Sequence, residues 1–117
     1  MKYICLIYTS EAEDLKMSPQ EQEATIQEYF AYDGIIEAAG IKTGSGDALQ
    51  PTSTATTVRV RDGKMITSDG PFAETKEQLG GFYILDCKDI DEALTYAAKI
   101  PGARHGSIEV RPLLTFD

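Results

Sequence analysis

Asp69, Glu74, Lys76 and Glu77 crowd around a single aromatic residue, Phe72, in the run 68–77 (SDGPFAETKE). Asp69-Gly70-Pro71 reads first as a turn: aspartate bonds its own backbone, glycine supplies a positive φ, and proline pins the next residue. A turn this rigid would also present Asp69, Glu74 and Lys76 around Phe72 at the mouth of a pocket, and loops held on a scaffold often carry function. A carboxylate beside an apolar ring can be raised in pKa and serve as a general base near neutrality. Glu77 reads better as a solvated charge.

His105 is the chain's one histidine and the only side chain whose ordinary pKa lies near physiological pH. It is a candidate acid–base group, or a plain surface residue in Arg104-His105-Gly106. Glu109 and Arg111 stand two apart on one strand and can pair with each other. Arg111 could instead clamp a carboxylate or phenolate in a bidentate manner, with Arg59 and Arg61 as the alternative anion clamp. Tyr83 is a core aromatic or a ligand contact. No His/Cys/carboxylate grouping has zinc spacing, Gly44-Ser45-Gly46 lacks a P-loop lysine, and no Gly-x-Ser-x-Gly elbow is present, so neither a metal nor a cofactor is expected. Cys5 and Cys87 each sit in an apolar run and read as buried thiols.

These residues belong to a chain of 117 with 42% hydrophobic and 26% charged content, sufficient for a single domain over 1–117. Eleven basic against nineteen acidic residues give a net charge of −8, which leaves no dense basic face for nucleic acid or an anionic membrane. No apolar run approaches a transmembrane length, and the start lacks the pattern of a signal peptide. A cytoplasmic location is expected.

Lys2 to Thr9 reads as an internal strand. Ser18-Pro19-Gln20-Glu21 opens a helix over 19–39, with a capping box and a proline at the first helical position, and Gly40 stops it. Residues 41–50 form a Gly-rich loop or short strand. Thr54 to Val60 is a strand, Asp62-Gly63 a hairpin signal, and Lys64 to Thr67 the return. Gly80-Gly81 opens a strand over 82–87. Asp89 with Glu92 makes a second capping box, and the helix that follows ends before Pro101-Gly102. The last strand is 107–114. This order predicts an α+β, ferredoxin-like split βαβ sandwich with an inserted hairpin and both helices on one face. Apolar residues on both faces of the strands then predict a sheet-to-sheet homodimer.

The segment Asp69-Gly70-Pro71-Phe72-Ala73-Glu74-Thr75-Lys76-Glu77 is followed by Leu79-Gly80-Gly81-Phe82. Together with Asp91-Glu92-Ala93-Leu94 and residues 106–113 (GSIEVRPL), it resembles the DGPF group of the YCII-related family, over nearly the whole chain. The resemblance implies a dimeric α/β barrel. It brings relatives such as a dechlorinating lyase acting on a chlorinated hydroxyquinol, and an association of some YCII-like domains with sigma factors. Many members pair a histidine in the first helix with an aspartate near the end of the second. Tyr29 and Ile100 stand at about those places here, so that dyad does not carry over.

Two functions follow. One is a small-molecule-binding or regulatory module with a pocket beside the Asp69 loop. The other is a cofactor-independent enzyme for proton transfer on a small aromatic or carbonyl compound, with Asp69 or His105 as base. Arg111 would be its anion anchor, and Phe72, Glu74, Lys76 and Tyr83 would line the site.

Overall fold

In β1 (Lys2–Thr9), Tyr3, Cys5 and Ile7 are buried, while Ile4, Leu6 and Tyr8 are only half-buried. The computed structural model, which describes residues 1–116, shows why. β1 is central in a four-stranded antiparallel sheet of order β2-β5-β1-β6, and helices cover one face of it. The partners are β2 (Lys42–Ala48), β5 (Gln78–Asp86) and β6 (Ser107–Pro112). Cross-strand register sets Tyr3 opposite Leu85 and Cys5 opposite Tyr83 on the covered face. Ile4 opposite Ile84 and Leu6 opposite Phe82 fall on the other face, because side chains alternate along a strand.

α1 (Glu11–Asp14) is a single turn, capped by the Ser10 side chain. α2 (Pro19–Ala38) begins at the predicted capping box: the Ser18 hydroxyl accepts from the Glu21 N–H, and the Glu21 carboxylate accepts from the Ser18 N–H. At its end Gly40 has φ +74°, and the N–H groups of Gly40 and Ile41 donate to the carbonyls of Glu37 and Ile36. That is a Schellman stop, with Ile41 turned into the core. α3 (Ile90–Ala97) has its Asp89 cap, but the Glu92 carboxylate accepts from the Lys88 N–H rather than from the cap's own. The second box is therefore reached one residue early.

Tyr32 and Ile36 of α2, Ala93 and Ala97 of α3, and Ile41, Leu85, Cys87 and Ile100 close the core over β1. Each long helix links two parallel strands that an antiparallel strand separates. The architecture is mixed α+β, with three helices and an open sheet rather than a closed barrel, among the described residues.

The Gly-rich segment after α2 is a full strand. Its glycines are what permit it. A Cβ on Gly46 would stand 2.7 Å from the Phe82 carbonyl, and one on Gly81 would stand 2.9 Å from the Asp47 carbonyl. β2 and β5 thus meet at a separation that side chains would prevent. β3 (Thr56–Arg61) and β4 (Lys64–Asp69) form a separate two-stranded ribbon, turned by Asp62 and Gly63 with φ +52° and +73°. Two consecutive positive φ values mark the tight hairpin turn that suits strand twist. No described helix is long and apolar enough to cross a membrane.

Candidate functional site

α2 turns a mostly polar face toward the sheet next to its buried one. Gln22, Thr25, Ile26, Tyr29 and Asp33 recur every three or four residues and line one side of a cleft of about 790 Å³. Opposite them stand Gly46 and Ala48 of β2 and Gly81 and Tyr83 of β5, with Ile7 at the end of β1. Gly46 and Gly81 carry no side chain on the covered face, and this leaves room beside the Tyr83 ring. α1 and the 3-10 turn Thr52–Thr54 roof the cleft, and Gly102 and His105 border it below.

The roof is held by Glu11. Its carboxylate accepts from both the N–H and the hydroxyl of Thr52, and its own N–H donates to the Gln78 side chain at 2.8 Å. Asp14 accepts from the Thr9 hydroxyl at 3.1 Å. Asp33, half-buried, has no hydrogen bond or ion pair from its carboxylate to any described residue. Burial pushes the Tyr29 phenol above its ordinary pKa, while the nearby Gly102 backbone works the other way. Burial, then the nearby Asp33 charge, pushes Tyr83 up to about 12. Both phenols are therefore neutral hydrogen-bonding groups at pH 7 and poor bases.

Glu11, Asp14 and Asp33 are the carboxylates on the cleft side of the lining, since Asp47 pairs with Phe82 and points to the other face of the sheet; among the described residues His105 is the one potential cation there, with no lysine or arginine. Ile7, Ile26, Met17 and the two tyrosine rings make much of the remaining wall apolar. Such a site can hold an apolar body and bond donors on it. Among the described residues no group of three or more His, Cys, Asp or Glu is placed to hold a metal ion.

Of the residues singled out by sequence, Tyr83 and His105 border this cleft; Asp69, Phe72, Glu74, Lys76 and Arg111 do not. Asp69 ends β4 opposite Thr56, exposed. The turn after it is pinned by the Gly70 N–H on the Ala55 carbonyl and by the Thr57 hydroxyl on the Gly70 carbonyl. Phe72 is 82% exposed, and Glu74 and Lys76 face solvent on the same loop. Arg111 pairs with Glu109 on the uncovered sheet face, which takes it away from any anion in the cleft. A single chain does not bring Asp69, His105 and Arg111 together, because the ribbon carries the first outward and strand alternation puts the last behind the sheet.

Tyr29, reached by sequence only through its position, borders the cleft; Ile100 is core. Asp14, Asp33, Gln22 and Thr25 escaped notice. The signal for three of them was present, since positions 22, 25, 29 and 33 share a helix face.

The same likeness extends to whole sequences. An uncharacterised protein of Rhizobium meliloti (strain 1021) is 42% identical over 118 residues, covering 99% of this chain and 94% of that protein. The YCII-related domain profile matches residues 1–117, and the chain belongs to that family.

Proposed function

We propose that the protein is a dimeric small-molecule-binding module of ferredoxin-like architecture, whose ligand sits in the cleft between α2 and the β2–β5 end of the sheet. The observation that carries this reading is the cleft itself. Its size suits a small organic ligand, its walls are mainly apolar, and a few polar groups converge on it. The Asp69 loop is not part of it; the DGPF segment serves as the base of the ribbon.

The split βαβ reading is supported by the order β2-β5-β1-β6, with each long helix crossing between strands that a third separates. Dimerisation is supported by the apolar row Ile4, Leu6, Phe82 and Ile84 on the face that no helix covers. Two such faces packed together would enclose a barrel between two chains.

A thermal-shift screen of small aromatic and carbonyl compounds tests the site. A binder should raise the melting temperature, and a cleft-filling Thr25→Trp variant should lose that response. Hits indifferent to Thr25→Trp would refute the site. His105 at the border favours a second reading, a proton-transfer enzyme with His105 as base and a neutral Tyr29 as donor. In that case His105→Ala would retain ligand binding and abolish turnover of the same compound.

A further inference from the structure

We propose that the cleft selects a ligand carrying a cationic nitrogen on an apolar or aromatic body, with Asp33 as the counter-ion and the rings of Tyr29 and Tyr83 beside it. This rests on the cleft being a ligand site.

Three observations converge on it. The first concerns how each carboxylate is occupied. Glu11 is taken up by Thr52, and Asp14 accepts from Thr9, whereas Asp33 has no partner among the described residues although it is half-buried. A partly desolvated carboxylate without a bond is costly, and an incoming donor with positive charge relieves the cost best. The second is position. Asp33 lies one helical turn beyond Tyr29 on the cleft-facing side of α2, and both line the cavity with Tyr83. Tyr83 is fixed by an edge-to-face contact with Tyr32, ring centres 5.1 Å apart. Carboxylate and aromatic faces side by side attract an ammonium group twice over, by charge and by ring quadrupole. The third is the sign of the whole lining. With three carboxylates on the cleft side and no lysine or arginine among the described lining residues, a carboxylate or phosphate ligand would meet repulsion and find no clamp.

Three compounds of one shape and different heads test this: phenethylammonium, 2-phenylethanol and phenylacetate, titrated calorimetrically into the full chain at low salt. Phenethylammonium should bind at least about tenfold more tightly than the alcohol, the usual gain from a charge-assisted bond, with phenylacetate weakest. Asp33→Asn should erase the difference between ammonium and alcohol while leaving the alcohol's affinity within about twofold. Asp33→Glu should restore part of the preference, which separates loss of charge from loss of shape. Because the Asp33 carboxylate bonds no other described residue, neither variant breaks a contact, and both should melt no lower than the parent protein. If phenylacetate binds as well as phenethylammonium, or the ammonium preference survives Asp33→Asn, the cationic specificity is wrong; should Thr25→Trp still abolish binding, the cleft remains the site. If none of the three binds at up to roughly 10 mM, or binding ignores Thr25→Trp, the cleft reading fails with it.

Discussion

Burial governs the protonation of the cleft and core side chains more than neighbouring charge does. Cys5, fully buried in β1, has its thiol pushed up to about 11 from 9.0, by burial first and by Cys87 second. Tyr83 is pushed up to about 12 and Tyr32 higher, again by burial first. An acid with a raised folded pKa keeps its proton in the native state after the unfolded chain has lost it. Stability is then fully present below the unfolded value and falls as pH climbs through the folded one. The chain should lose stability between about pH 9 and 11, on the order of 2 to 3 kcal/mol from Cys5 alone. Urea midpoints from pH 7 to 11 check this; a flat profile above pH 9 would contradict the buried thiol. Cys5 was legible as a buried thiol because it sits in an apolar run. Asp33 was not legible, because nothing in sequence says which of nineteen acidic residues is half-buried in a cleft with its carboxylate free of any described partner. That depends on Thr52 and Thr9 having claimed Glu11 and Asp14, through contacts spanning 41 and 5 positions.

At the scale of elements, the strands and helices that could be read were those whose ends carry their own chemistry. Both ends of α2 were legible for that reason. Ser18→Ala removes the hydroxyl that accepts from Glu21 and should cost about 1 kcal/mol, read from a urea midpoint at unchanged slope. β2 was hard to read because its sequence, KTGSGDA, lacks the β-branched alternation that marks a strand. Its glycines are required by the neighbouring strand, which is a tertiary fact. The consequence is testable in β5. Gly81→Ala would drive a methyl to 2.9 Å from the Asp47 carbonyl, where backbone rather than a flexible side chain must move. A loss of about 1 to 3 kcal/mol is expected, with the same opening of the β2–β5 seam weakening any ligand in the cleft. Gly80→Ala next door meets nothing within 4 Å and should be nearly neutral, which makes it the matched control.

The whole molecule is wider than one core requires. Its radius of gyration is 16.2 Å and its extents are 48 × 48 × 20 Å, whereas a compact chain of this length has a radius of about 13 Å. The excess lies in a ribbon, β3–β4, that leaves the sheet with Val58, Val60 and Met65 exposed on one of its faces and Arg59 opposite Ile66 and Arg61 opposite Lys64 on the other. A free two-stranded hairpin is marginal in water, and the sheet face behind β1 is equally uncovered. One second chain answers both needs, and in a two-fold assembly each chain supplies the same surfaces to the other. Leu6 lies at the centre of the uncovered face, opposite Phe82 on one side and Glu109 on the other. The parent protein should scatter light as a dimer at micromolar concentration. Leu6→Glu would set a second carboxylate beside Glu109 and bury both charges against their copies in the partner, so it should yield folded monomers with an unchanged far-ultraviolet spectrum. Val60→Asp on the ribbon should weaken association less, since that side chain is 63% exposed in the single chain and stands far from the sheet's centre. If Leu6→Glu stays dimeric while Val60→Asp dissociates, the ribbon and not the sheet face joins the copies. A parent protein that is strictly monomeric would refute both.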